Sequence, residues 1–347
     1  MAASAAYEVT RATRASQIGL AGAILLLFLL AAAPWWAGRA DRRLLIEIFY
    51  YLSLASLWNL LAGYAGLVSV GQQAFVGLGG YSLFALCIFV GLPPLLVVPL
   101  AGVVAAAFAI PTALIVFRLR GAYFAIGTWV VAEVYRLGFA QISALGGGSG
   151  ISLPAGIVKG IAESRAARDS LTYWCALAIV VAVIGGVYLL LRSRHGLALT
   201  AIRDSEPASE GLGVDTYRTK FLIYVLAAFG TGMVGALIFL QKLRISPEAA
   251  FSVNDWTAFV IFIVVIGGIG RIEGPIIGTL VFFVLREFLA DLGSWYLMIL
   301  GLLAVTVMLV APQGIWGLLA DRYDLQLFPV QRRVRLTVRE PTQTGPR

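Results

Sequence analysis

Charge is scarce in this chain of 347 residues: Asp, Glu, Lys and Arg make up 13%, against about 25% in an ordinary globular domain. A soluble protein of this length could not cover its surface with so few charges, so that class is excluded. There is one histidine, His195, and two cysteines, Cys87 and Cys175. A single histidine supports neither a metal cluster nor a nucleophile–base pair. The cysteines sit inside apolar runs without metal-ligand spacing, which excludes a disulfide framework and reads as two small buried hydrophobes. No Gly-x-x-x-x-Gly-Lys-Ser/Thr loop is present to cradle a phosphate. The residues therefore give no support to enzyme chemistry or to a cofactor in this chain. A net charge of +8 needs no nucleic acid to explain it, because the basic residues concentrate in loops and tails.

What the chain has instead is apolar length. Crossing the hydrocarbon takes about 20 mostly apolar residues. Ile18–Ala37, Ala65–Gly91, Leu95–Phe117, Leu171–Leu191 and Phe221–Leu240 reach or exceed that length without a charge. The pattern predicts an all-α, polytopic transmembrane bundle of ten spans, at 18–37, 44–62, 67–90, 95–117, 122–142, 171–191, 220–241, 256–270, 275–290 and 295–311. The first run is long for a signal-peptide core and no small-residue cleavage site follows Trp36, so it is expected to be a retained span. The spans form a membrane domain over 1–320. The basic stretch 321–347 is expected to be a cytoplasmic tail without fixed structure.

One stretch breaks the pattern. Arg192 to Lys220 is a polar island holding nine charges and the single histidine, with charge-free apolar runs on both sides. Within it, Ser205 is a good helix N-cap, Pro207 suits a first turn, and Gly211 and Gly213 suit a helix end. Glu206 and Glu210 lie four apart on one face, and Glu206 sits at the positive end of the helix dipole. A helix so short is marginal alone and calls for a partner to hold it. With this loop on the cytoplasmic side, both ends of the chain fall there too. Sixteen basic residues then lie inside and eight outside, the bias expected of inner loops. Arg39-Ala-Asp-Arg-Arg43 runs against that bias by falling outside.

Two segments are unusual as spans. Residues 62–81 carry six glycines and the adjacent Gln72 and Gln73, and Trp256–Gly270 is only 15 residues long. Broken, glycine-interrupted segments point to a pathway in transporters, and irregular backbone at membrane depth lies only against protein or a water-filled cavity. Close helix packing is the other reading, since Gly270, Gly274 and Gly278 have small-xxx-small spacing. A re-entrant 62–81 would flip the N-terminal end. Ionisable residues within spans are Glu47, Glu133, Arg136, Arg286 and Glu287. Glu133 and Arg136, three apart, share a face, either as a structural pair or as a polar lining. Glu47 is expected to pair with Arg43, and Arg286 and Glu287 to snorkel to the interface.

Five blocks, in this order and spacing, resemble the permease subunits of ATP-binding-cassette importers of the branched-chain amino acid group, the longer M-type above all. They are Asn59–Tyr81, Arg118–Ile126, Gly146–Ile151, Ala201–Gly213 and Gly267–Gly278, closed by Pro312–Gly317. The resemblance implies that Arg203, Asp204, Glu206, Ala208, Glu210, Gly211 and Gly213 form a coupling helix that docks on an ATPase. It also implies two cytoplasmic ATP-binding subunits that carry ATP and Mg, a second homologous permease subunit, and an external substrate-binding protein that supplies most of the selectivity. The expected setting is the lipid bilayer of a bacterial-type inner membrane. The candidate translocation pathway is Asn59, Gln72, Gln73, Phe75, Tyr81, Tyr123, Thr128, Glu133 and Arg136. Gln72-Gln73 departs from the family's usual Gly-His or Gly-Gln, and Pro207 is unusual within the coupling segment. Urea, short amides or small carboxylates are alternative substrates on the same architecture. An ion-coupled transporter using Glu133 and Arg136 is an alternative of another class.

Overall fold

The computed structural model describes residues 6–10, 14–162, 164–289, 293, 295–323, 327–330 and 333–337. Helix dominates because a backbone in hydrocarbon must satisfy its own hydrogen bonds. In chain order the elements are β1 (Ala6–Thr10), α1 (Arg14–Ala31), α2 (Ala33–Trp36), α3 (Arg39–Asn59), α4 (Gln72–Ala85), α5 (Pro94–Val116) and α6 (Ala122–Ala140). There follow β2 (Ile151–Ser152), α7 (Ala155–Lys159), α8 (Arg165–Arg192), α9 (Arg194–Asp204), α10 (Glu206–Gly211) and α11 (Thr216–Lys242). The last are β3 (Arg244–Ile245), α12 (Pro247–Ala250), α13 (Phe259–Gly267), α14 (Glu273–Leu289), α15 (Trp295–Val310), α16 (Gly314–Tyr323) and β4 (Arg333–Thr337).

Among the described residues, seven helical runs are long and apolar enough to cross a membrane: Arg39–Tyr64, Gln72–Val90, Pro94–Val116, Arg165–Arg192, Thr216–Lys242, Pro247–Gly267 and Trp295–Ala320. The shorter or more polar α1, α6 and α14 stand before the first, after the third and after the sixth of them. Side-chain contacts give the directions. Gly71 abuts Thr128 and Tyr81 stacks on Phe139, so α4 and α6 run parallel. Phe117 meets Phe124 and the Thr112 and Tyr135 hydroxyls are 2.7 Å apart, so α5 runs against α6. Arg39 pairs with Asp169, which sets the starts of α3 and α8 side by side. That end is opposite the polar island. Residues 327 and 328 return to the island end, where their amides donate to the Glu273 carboxylate and Phe328 meets Tyr188.

Segment 62–81 is broken but not re-entrant. Helix α3 runs on through a π-turn at Leu60–Tyr64, the chain bends over residues 65–71, and α4 continues to Val90. The Trp256–Gly270 segment begins earlier than its sequence suggests. Ser246 caps α12, and a π-turn at Asn254–Ala258 joins α12 to α13 in a 21-residue run. That run is about 31 Å long, enough to cross. The tail also differs from expectation: β4 pairs antiparallel with β1, from Ala6↔Thr337 to Thr10↔Arg333. The rest of the tail, 338–347, lies outside the described residues.

Glycines set the closest packing. A Cβ on Gly79 would overlap the Gly232 carbonyl, so α4 and α11 meet backbone to backbone. Gly267 and Gly278 bring α13 and α14 together the same way. Packing therefore accounts for most of the second glycine cluster, whereas Gly270, at φ +76°, forms the turn after α13.

Candidate functional site

The island folds as two short helices. The Ser193 hydroxyl accepts the His195 amide at 3.2 Å to start α9, and the Ser205 hydroxyl accepts the Ala208 amide at 3.4 Å to start α10. Asp215 then starts α11 by accepting the Arg218 amide at 2.9 Å. These three caps satisfy amides that helix starts leave without partners. Gly213 adopts φ +85°, which lets the Val214 amide fold back onto the Ser209 carbonyl at 3.0 Å.

The acidic side chains of α10 turn toward the body of the protein. A Glu206 carboxylate oxygen lies 2.7 Å from the Lys220 ammonium, and Glu210 accepts the Thr216 hydroxyl at 2.6 Å. Both contacts hold α10 against the first turn of α11. Two large apolar side chains stand exposed among the island's charges: Leu212 is 82% exposed and Leu197 72%, with exposed Asp204 and Arg218 in the same segment. Pro207, Ala208 and Gly211 are exposed beside Leu212. A cavity of about 360 Å³ separates the island from the α5–α6 turn, with Arg120, Glu206, Glu210 and Lys220 on its walls.

Beneath α9, Asn59 is a latch. Its amide nitrogen donates to the Arg271 carbonyl and its amide oxygen accepts the Gly270 amide, both at 2.8 Å. The end of α3 is thereby tied to the turn between α13 and α14. Arg203 lies against Gly270 and 3.4 Å from Asp204. The island thus rests on the place where the two glycine-rich segments meet.

The candidate pathway residues do not form one constellation. Gln72, Gln73, Phe75, Tyr81 and Thr128 are all buried around α4. The Gln72 amide donates to the Leu54 carbonyl at 2.9 Å, and Gln73 accepts the Thr257 hydroxyl. Phe75 packs edge-on against Tyr224, and Tyr81 clusters with Phe139 and Phe251, its ring centroid 4.5 and 6.0 Å from theirs. The Thr128 hydroxyl accepts the Val70 amide at 3.1 Å, pinning the bend before α4. Gln72 Oε1, Gln73 Nε2 and the Tyr81 hydroxyl are buried without a hydrogen-bond partner among the described residues. Asn59 belongs to the island end instead, and Tyr123 is exposed at the start of α6.

Glu133 and Arg136 form a forked pair on α6, with Arg136 Nε at 2.8 and 2.9 Å from the two carboxylate oxygens. Their side chains remain 43% and 32% exposed, about 3 and 7 Å past the helix midpoint. Only Phe124, Thr128 and Ala132 of α6 are buried, a single stripe facing α4. Glu47 does not pair with Arg43. Its carboxylate reaches Arg286 on α14 at 2.6 Å, an ion pair across 239 positions, so Arg286 is tied to α3 instead of snorkelling free. Sequence reading also passed over α9 and the exposed Leu197 and Leu212. The signal was available: Ser193 is a cap like Ser205, and both leucines stand out in a polar loop.

Residues 42–311 match the family model described as branched-chain amino acid transport system / permease component. The chain is 30% identical over 314 residues to the high-affinity branched-chain amino acid transport system permease protein LivM of Escherichia coli (strain K12), covering 84% of this chain and 73% of that one. It is 30% identical over 312 residues to the LivM protein of Salmonella typhimurium, with the same coverage. It is 25% identical over 184 residues to the fructose import permease protein FruG of Bifidobacterium longum, covering 50% of this chain and 53% of that one. No solved structure matches the chain significantly. With a family match over most of its length and the helical membrane fold described above, the chain belongs to the branched-chain amino acid ABC transporter permease family and is LivM-like.

Proposed function

We propose that this chain is the membrane permease subunit of an ATP-driven importer, building the translocation pathway for branched-chain or related amino acids with a second, homologous permease subunit. Two cytoplasmic ATP-binding subunits bind ATP and Mg and engage the 203–213 segment, and an external binding protein delivers the solute. The setting is the inner membrane of a bacterial-type cell, with the island on the cytoplasmic side.

The observation that carries this reading is the build of the island. Glu206 and Glu210 hold α10 to α11, while Leu212 and Leu197 stand exposed in the same segment. Exposed apolar side chains on a rigid, capped support are what a docked partner buries. Helix α6 supports the second permease subunit. A charged pair half-exposed near mid-span is costly against lipid, and a partner surface or an aqueous pathway removes that cost.

The test is uptake of labelled leucine by membrane vesicles carrying the complete complex. Uptake should require ATP, resist collapse of proton and sodium gradients, and fall in Leu212→Asp while the permease stays folded. Uptake that follows an ion gradient without ATP would sink the proposal in favour of the ion-coupled alternative. The fructose-importing relative favours keeping one second reading, a different small polar solute on the same architecture. Competition of labelled leucine by urea, acetamide or a short carboxylate decides it.

A further inference from the structure

The end of the molecule opposite the island holds a cavity of about 110 Å³ between the starts of α3 and α8 and the end of α11. Five arginines line it, Arg39, Arg42, Arg43, Arg165 and Arg168, with Asp169 as the one carboxylate on its walls among the described residues. Asp169 accepts Arg39 at 2.9 Å, and Arg42 Nη1 donates to the Ser170 hydroxyl at 3.1 Å. Asp41 is occupied in accepting the Gly38 amide at 3.0 Å. Among the described residues Arg43 and Arg165 have no ion-pair partner, and Arg42 Nε is buried with no acceptor. Glu163 lies outside the described residues. Like charges gathered at this density repel one another, and a buried guanidinium N–H without an acceptor is costly. The repulsion is relieved if an anion occupies the cavity.

Three tryptophans set the depth of the cavity. Trp35 and Trp36 are exposed just before α3, and Trp174 lies with its ring centroid 5.9 Å from that of Trp35. Tryptophans gather at headgroup level. The remaining walls include Val158, Ile161, Leu240 and Leu243, so the cavity is part cationic and part apolar. We infer that it binds the phosphate of an anionic phospholipid, with the arginines on the phosphodiester and the apolar walls against the glycerol backbone. Basic pockets between transmembrane helices bind anionic headgroups at the cytoplasmic face of membranes, and this cavity offers the same chemistry at the opposite face. The site also accounts for why Arg39-Ala-Asp-Arg-Arg43 defies the inside bias of the other basic residues. The inference stands on these residues alone and does not rest on the transported solute or on ATP coupling.

The test uses the full complex in vesicles of zwitterionic phosphatidylcholine with or without phosphatidylglycerol, followed by mass spectrometry of the lipid retained after gentle extraction. The wild type should retain phosphatidylglycerol selectively, and Arg42→Gln with Arg43→Gln should lower that retention about tenfold or more. Arg43→Lys, which keeps the charge, should retain most of it. Arg43→Gln with Arg165→Gln, both exposed, should act in the same direction and guards against misfolding of the first variant. Added inorganic phosphate should compete only weakly; full displacement by it would reduce the site to a free-phosphate site and overturn the lipid assignment. Equal retention by wild type and variants would overturn it as well. So would unchanged lipid retention with lost capture of the external binding protein.

Discussion

The two ends of this molecule are both charged, and they use charge in opposite ways. At the island, acids and bases alternate and close on each other: Lys220 with Glu206, Arg218 with Asp215, Arg203 with Asp204. At the far end, arginines crowd together, with a single carboxylate in their cavity among the described residues. Paired charges of mixed sign build a shape, and that shape presents the exposed Leu197 and Leu212 set among them. Arg43 and Arg165, which hold no ion pair among the described residues, offer their charge instead. A count of charged residues ranks the island first, yet the more demanding electrostatics lies at the other end.

The comparison can be broken most decisively at Leu212. If the island works through apolar contact, Leu212→Asp should remove about 2 kcal/mol or more of docking energy, roughly thirtyfold in ATP-driven uptake. Thermal unfolding of the purified subunit should be unchanged. A smaller loss, about fivefold, is expected for Glu206→Lys, which sets two ammonium groups together. Adding Lys220→Glu should restore uptake, because the clamp is remade with its sign reversed. If the double variant stays as poor as the single one, Glu206 speaks to the partner and not to Lys220. At the far end, the Glu47–Arg286 pair should behave like an island pair. Arg286→Ala should cost about 1 kcal/mol, read as a fall of roughly 2 °C in unfolding temperature. The smallest effect is expected at Arg43, whose exposed side chain holds no ion pair among the described residues. In detergent free of anionic lipid, Arg43→Gln should change stability by less than about 0.5 kcal/mol.

The sequence made the helices legible because apolar runs of spanning length are local facts, readable without any knowledge of neighbours. It made α10 legible for the same reason: Ser205, Pro207 and Gly213 act on the backbone within a few residues. Helix α12 could have been read likewise, since Ser246-Pro-Glu repeats that cap logic and Ser246 accepts the Ala249 amide. What escaped was non-local. Nothing near Glu47 announces Arg286, and nothing near Asn59 announces the Gly270–Arg271 turn it latches. The tail strand escaped for the same reason, because its partner lies at the other end of the chain. Glu133 and Arg136, three residues apart, show the contrary case: their pairing is local and follows from helical spacing.

Helix α11 has a mechanical consequence. It is 27 residues long, about 40 Å, uninterrupted by proline, and fused by glycine contacts to the backbone of α4. Thr216 and Lys220 grip the island at one end, and Leu240 and Gln241 form part of the arginine cavity at the other. Such an element is a push-rod. A displacement imposed at the island arrives at the opposite face without a relay of side-chain rearrangements. On the proposed coupling, whatever grips the far end, a bound lipid included, becomes a load against which a docked ATPase would work.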